Sequence, residues 1–295
     1  MRTIVGMERS GGGRSHLSAR AAALLMIWLA FGAAAGVGAS ELTSQTASAF
    51  EHYVRVTEAE RNGVPASKPF LAVDRLPDGP RNEASAELRD GKIWIEKLET
   101  LENGEKIMAP GGLIHHWTAT VFVPGVTLAQ TLALEEDYSE HAKYFQSDVV
   151  ASKIRSRNGN DFEVYLRFYK QKVVSAVLDT THSVHYQLLS ATRAASESHS
   201  TRIQEVQNAG TAKEYLEPVG HDDGFLWRMN TYWKFEEKDG GTYVESETIS
   251  LTRDIPAGLG WIVGPFIDSI PKQSLTFTLR TTRSVLLQRL HARQM

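Results

Sequence analysis

Glu245 and Glu247 stand two residues apart, the spacing that puts two carboxylates on one face of a β-strand. Paired carboxylates can serve as general acid and base when their surroundings separate their proton affinities. Tyr243, Ile249 and Leu251 would share their face, and Val244, Ser246, Thr248 and Ser250 would form the opposite one. If the Tyr/Ile/Leu face points inward, both carboxylates line an interior and need cations, for which Arg202 and Arg228 are the candidates. Such pairs orient a ligand or hold a fold more often than they catalyse. If the Ser/Thr/Val face points inward, both carboxylates are solvated and inert. The second arrangement is the default, because an unpaired buried carboxylate is costly.

Histidine offers less. His115 and His116 are neighbours, so on a strand their imidazoles diverge, and His182 and His185 diverge for the same reason. One histidine of each pair is expected in solvent and the other hydrogen-bonded. Converging metal ligands are absent from the pattern, as is a His-Glu-x-x-His helix, so no metal is expected. The serines around 196–201 lack a Gly-x-Ser-x-Gly elbow. Ser269 before Pro271 reads as a helix start. No glycine-rich phosphate loop suggests a nucleotide, and the absence of cysteine excludes disulfides, thiolate metal sites and a thiol nucleophile. No cofactor is therefore expected.

The elements around these residues are better marked. Residues 225–237 alternate, with Phe225, Trp227, Met229, Trp233 and Phe235 on one face and Arg228, Asn230, Tyr232, Lys234 and Glu236 on the other. Asp239-Gly240-Gly241 supplies the turn of a hairpin into a second strand over 242–253. A segment broken by Gly and Pro follows, then a long helix from about Pro271. Its stripe is Leu275, Leu279, Thr282, Leu286 and Leu290. The segment from Gly258 to Phe266, with Trp261 and Phe266 among glycines, reads either as a gate over a cavity mouth or as a buried helical turn.

Upstream, residues 113–123 read as a strand and 126–145 as two short helices. Strands are expected over 149–157, 162–170, 173–189 and 196–206. Residues 40–61 suggest a short helix, 64–80 an extended proline-rich connector, and 92–108 a small hairpin. Residues 40–110 look like an accessory to the domain over 111–295.

The N-terminus carries Arg2, Arg9, Arg14 and Arg20 before an apolar run over 21–39 that ends Val37-Gly38-Ala39. That is the layout of a secretory signal peptide, and an uncleaved membrane anchor is the alternative. Export to a periplasm or medium is the resulting expectation. Without residues 1–39, 256 of the 295 residues remain and the formal charge moves from −3 to −6, because four Arg and Glu8 leave. An acidic chain of this kind does not suit nucleic acid.

Strand, helices, several antiparallel strands and a long helix make up the helix-grip layout, an α+β arrangement in which a curved antiparallel sheet wraps a C-terminal helix. The sequence resembles the START-like (SRPBCC) superfamily of hydrophobic-ligand-binding domains. The residues that carry the resemblance are Leu113-Ile114-His115-His116-Trp117, Phe122-Val123-Pro124-Gly125, Asp137-Tyr138 and Tyr165-Leu166-Arg167. Ser200-Thr201-Arg202-Ile203, Trp227 through Trp233 and Ser250 through Pro256 complete the set. The resemblance covers about 111–290. It implies a hydrophobic small molecule or lipid held between sheet and helix without chemistry, with a cyclase- or hydrolase-like enzyme, or a solid interaction module, as alternatives. The expected lining is Trp117, Phe168, Trp227, Met229, Trp233, Phe235, Trp261, Phe266 and Leu279, with Arg202, Arg228, Glu245 and Glu247 as polar members. Membrane contact would run through the N-terminus or the segment from Gly258 to Phe266. The sequence sets no oligomeric state.

Overall fold

The computed structural model describes residues 40–65, 68–171, 175–255 and 260–293, with side chains in the last segment from residue 269 onward. The signal-peptide reading therefore lies outside the described residues, as do Gly258 and the side chains of Trp261 and Phe266.

Helix α1 (Ser44–Asn62) begins where the Thr43 hydroxyl accepts the Thr46 N–H at 3.1 Å. It buries Phe50, Tyr53, Val54 and Thr57, one stripe at helical spacing. Next, α2 (Asp78–Arg89) forms inside and beyond the stretch expected to be an extended connector. Pro77 and Pro80 sit at its N-terminal end, where a missing N–H costs nothing. Strand β1 (Trp94–Lys97) was expected in a small hairpin; that hairpin forms instead from Leu101–Glu102 and Glu105–Lys106, and β1 joins the main sheet.

Strand β2 (Gly112–Pro124) leads to α3 (Leu128–Glu135), opened by a capping box between Thr127 and Gln130, and to the short α4 (His141–Tyr144). Four strands follow: β3 (Val149–Asn158), β4 (Asp161–Gln171), β5 (Ser175–Ser190) and β6 (Arg193–Gln207). The hairpin of β7 (Arg228–Lys238) and β8 (Gly241–Arg253) leads to α5 (Gly260–Ala292). Its turn puts Asp239 at φ 56° and Gly240 at φ 76°, the consecutive positive angles of a twisted two-residue loop. A Cβ at Gly241 would lie 2.4 Å from the Val123 carbonyl oxygen, so only glycine fits there.

The main sheet is antiparallel, in the order β1-β2-β8-β7-β6-β5-β4-β3, with Tyr215–Leu216 as a ninth strand beside β6. Bulges interrupt the register in β3, between Thr181 and His182, and near Leu188, and such bulges let a broad sheet bend. Helix α5 lies on one face, with Leu275, Leu279, Thr282 and Leu286 buried. This is a helix-grip arrangement, an α+β fold in which a broad antiparallel sheet packs on a long C-terminal helix. The helix starts well before Pro271, and both Pro271 and Ser269 lie within it rather than at its start. A proline removes one helical hydrogen bond, a loss that a 33-residue helix packed on a sheet can absorb.

Both sheet faces are covered. On the helix side Ala119, Val121, Val123, Phe162, Val164, Val184, Phe235 and Val244 pack against α3 and α5. On the outer side α1 covers Tyr232, Ile249 and Leu251, while Leu71, Val73, Ala84 and Leu88 cover Phe122 and Tyr243. Residues 40–110 thus form the third layer of a helix–sheet–helix stack.

Candidate functional site

The face of β8 that bears Glu245 and Glu247 is the outer one, and it is buried under the N-terminal layer, an arrangement matching neither sequence alternative. Tyr243 packs under the second outer cluster and Ile249 and Leu251 under the first, so the carboxylates occupy the seam between them. Glu245 is 1% exposed; its carboxylate accepts the Ala72 N–H at 2.6 Å, the Lys234 ammonium at 2.9 Å and the Thr120 hydroxyl at 3.4 Å. Glu247 meets His116 Nε2 at 3.1 Å, and the other nitrogen of that ring meets the Tyr53 hydroxyl at 3.0 Å. The same hydroxyl accepts the Thr100 N–H at 2.8 Å. Burial pushes the Glu247 carboxyl up, but the His116 hydrogen bond and charge, with Arg61 and Lys234, outweigh it and hold the group below its ordinary range. Glu245 thus ties the N-terminal layer to the sheet directly, and Glu247 does so through His116.

Their expected partners are elsewhere. Arg202 is exposed, and Arg228 donates to the Trp227 carbonyl oxygen at 2.8 Å. Trp227 leaves the aromatic row of its strand and packs with Ile249 and Leu251, its Nε1–H donating to Asp222 at 2.9 Å. Regular pairing of β7 begins only at Arg228, so the alternation that governs the strand does not reach Trp227. His115 and His116 do point to opposite faces, yet both are buried, at 2% and 4% exposure. His116 is enclosed by α1, and His115 lies within 3.0 Å of the Thr252 hydroxyl. His182 is buried beside Thr180, whereas His185 is exposed and paired with Asp161.

The other aromatic candidates share the helix side. Register places Trp117 opposite Thr248, Trp233 opposite both Ser246 and Ser196, and Met229 opposite Ser250. Phe168 stands opposite Leu178, and its ring meets His182 edge-on. Phe235 and Leu279 are fully buried in the packed core. Trp117, Leu166 and Trp233 lie at the margin of that core and are only partly buried, as are Met229 and Phe168 beyond it. Between them Thr231, Thr248, Ser198, Ser200 and Ser250 dot the face with hydroxyls. The helix side thus has a solidly packed half and a half lined by partly exposed aromatic and sulfur-bearing side chains. In the second half three buried polar atoms lack a partner: Ser196 Oγ, Ser246 Oγ and Trp117 Nε1. An unmade buried hydrogen bond costs about 1–3 kcal/mol, so three on one face call for a reason.

The packed half hides ionisable groups that the sequence reading did not single out. Glu135 is 5% exposed and accepts the Thr282 hydroxyl at 3.2 Å; burial raises its pKa to about 7 against the pull of that hydrogen bond. The Tyr138 and Tyr186 hydroxyls meet at 2.9 Å, and burial raises both pKa values. Burial lowers His141 to about 4. The available signal was spacing: Glu135 continues the buried stripe of Leu128 and Thr131. Ser196 and Ser246 carried no signal in sequence, since a serine on a strand is ordinary until its neighbours are known.

A pocket of about 330 Å³ opens on the surface between α2 and β1, lined by Leu76, Pro80, Glu83, Ala84, Glu87, Trp94, Ile95 and Glu96. None of the sequence candidates lines it. Among the described residues no group of His, Asp and Glu is arranged to hold a metal ion, and no helix is long and apolar enough to cross a membrane.

No protein-family model matches the chain, and no curated protein does. Solved structures similar to parts of it are known. A STAR-related lipid transfer protein from Xanthomonas axonopodis is 14% identical at a TM-score of 0.40, over 65% of this chain and 98% of that one. Human STARD10 is 10% identical at 0.41, over 75% and 84% of the two chains. The Zhui aromatase/cyclase from Streptomyces sp. R1128 is 12% identical at 0.41, over 60% and 96%. Likenesses of this degree say nothing about what the chain binds, and the fold assignment stands on its own sheet order and helix.

Proposed function

We propose that the protein binds a hydrophobic small molecule or lipid against the partly exposed half of the helix side, and releases it unchanged. The observation that supports this reading is the row of Trp117, Leu166, Phe168, Met229 and Trp233, apolar groups left partly uncovered beside a core that otherwise closes tightly. Aromatic and aliphatic walls with a few polar points are what a small-molecule site needs. The enzyme alternative loses its named residues, because on the outer side of the sheet Glu245 is ion-paired with Lys234 and Glu247 is hydrogen-bonded to His116. Export through a cleaved signal peptide belongs to the same proposal, and N-terminal sequencing of the exported protein checks it.

Native mass spectrometry on protein from its own host tests the binding reading. A co-purifying lipid-sized adduct, lost when Trp233 is replaced by Ala, is the expected result. No adduct, together with no thermal shift across a lipid panel, would remove the proposal.

A further inference from the structure

We propose that Glu205 and Asp222 form a proton-operated latch that fastens residues 40–42 to the end of the sheet. With one proton held between the two carboxyl groups the latch is closed; without it two buried negative charges face each other and the latch opens. The latch does not depend on where a ligand sits. Its geometry is a run of three successive backbone amides divided between two carboxylates. Glu205, on β6, accepts the N–H groups of Asp223 at 3.1 Å and Phe225 at 2.9 Å, one on each oxygen. Asp222 Oδ1 accepts the Gly224 N–H and the Trp227 indole N–H, both at 2.9 Å. Glu205 and Asp222 are 3% and 4% exposed, and Asp222 Oδ2 has no hydrogen-bond partner among the described residues. What the pair holds in place is a clasp between distant segments. His221–Asp222 pairs with Ser40–Glu41, and the Leu42 N–H donates to the Gly220 carbonyl oxygen at 2.8 Å. Leu42 and Trp227 then pack in the same outer cluster.

The charges around the pair are of its own sign. Asp223 bears on both carboxylates and Glu217 on Asp222. Arg253 meets the loop through its backbone N–H, which donates to the Gly224 carbonyl oxygen, and the Arg228 guanidinium is turned to the Trp227 carbonyl oxygen. On β5, Leu178 stands opposite Glu205, and the adjoining Asp179 is bound by Arg167. His221 is exposed, and the Gln204 amide beside Glu205 donates to the Glu217 carbonyl oxygen. Two ionised carboxylates so enclosed lose their hydration and gain no counter-charge. Burial, and after it the Asp222 charge, raises the Glu205 pKa to about 7 against the pull of its two amide bonds, and burial raises Asp222 as well. Once the loop lifts, Glu205 is solvated and titrates near its ordinary 4.5. The closed form therefore keeps a proton that the open form has released, between about pH 4.5 and 7. Its advantage falls as pH rises through that window and is level above it.

Hydrogen exchange on the full chain at about pH 5 and pH 8, corrected for the intrinsic pH dependence of exchange, reads the latch as local opening. Protection of the amides over 40–43 and 220–227 should fall about tenfold or more from the lower pH to the higher. Glu205→Gln has no proton to lose there and should give the same protection at both. Asp222→Asn removes the like charge but not the burial, so the fall should persist and become smaller. Wild-type protection that holds or rises with pH overturns the latch, as does a fall that Glu205→Gln retains. Should Glu205→Gln not fold, Asp222→Asn decides: a fall as large as that of the wild type overturns the latch, and a smaller one supports it.

Discussion

Glu245 shows how far a single residue's role depends on what covers it. Buried at 1% exposure, it is held by the Lys234 ammonium and the Ala72 N–H, on a face that solvent would otherwise occupy. Lys234→Met should leave the carboxylate buried without its cation and cost about 3–5 kcal/mol in urea unfolding. The double variant Lys234→Met/Glu245→Gln should recover most of that loss, because the stranded charge is gone. A double variant no more stable than the single one would show that the pair is not what Lys234 contributes. Glu135 makes the complementary case. Folded, its carboxyl holds its proton to about pH 7, whereas the unfolded chain releases it near 4.5. The folded state thus binds more protons across that window, so this residue's contribution falls as pH rises through it and is level above. The loss is roughly 3 kcal/mol. Glu135→Gln should therefore stabilise the protein at pH 8 relative to pH 5 when compared with wild type. Parallel stability–pH curves for the two proteins would contradict this.

At the scale of elements, the C-terminal helix and the β7–β8 hairpin carry the fold. Leu279 is 0% exposed at the middle of the α5 stripe, while Leu290, nearer the helix end, only packs against the core margin. Leu279→Ala should cost about 2–5 kcal/mol and Leu290→Ala clearly less, read from urea midpoints at equal slope. Equal losses would mean that the helix grips the sheet along its whole length rather than at its centre. The stripe and the hairpin turn were both legible in sequence, because helical period and positive-φ turn chemistry are local properties. The start of α5 was not. Pro271 suits the first turn of a helix, so the local pattern places the start there, whereas the helix runs from Gly260.

In the whole molecule the unexpected part is the N-terminal layer. Residues 40–110 cover Phe122, Tyr232, Tyr243, Ile249 and Leu251, give Glu245 the Ala72 N–H, and set the Tyr53 hydroxyl against His116, the partner of Glu247. A chain that begins at Gly111 would expose those apolar groups and lose the Ala72 hydrogen bond to Glu245. It should form inclusion bodies or bind hydrophobic dye as an expanded state, whereas a chain that begins at Ser40 should unfold in one cooperative step. A soluble, cooperatively folding product from Gly111 onward would show that the layer is dispensable.

By itself the sequence determined the strands, the hairpin, the terminal helix and their order, since each is written in short-range periodicity and turn residues. It also determined that Trp233 and Phe235 share a face of their strand and that Glu245 and Glu247 share a face of theirs. Only the tertiary structure decided what covers each face, because burial depends on segments distant in the chain. Ala72 comes from 173 residues away to bind Glu245, and Tyr53 from 63 residues away to reach His116. The unpartnered hydroxyls of Ser196 and Ser246 are of the same kind: alternation assigns them a face, and only the assembled sheet shows that no partner reaches them.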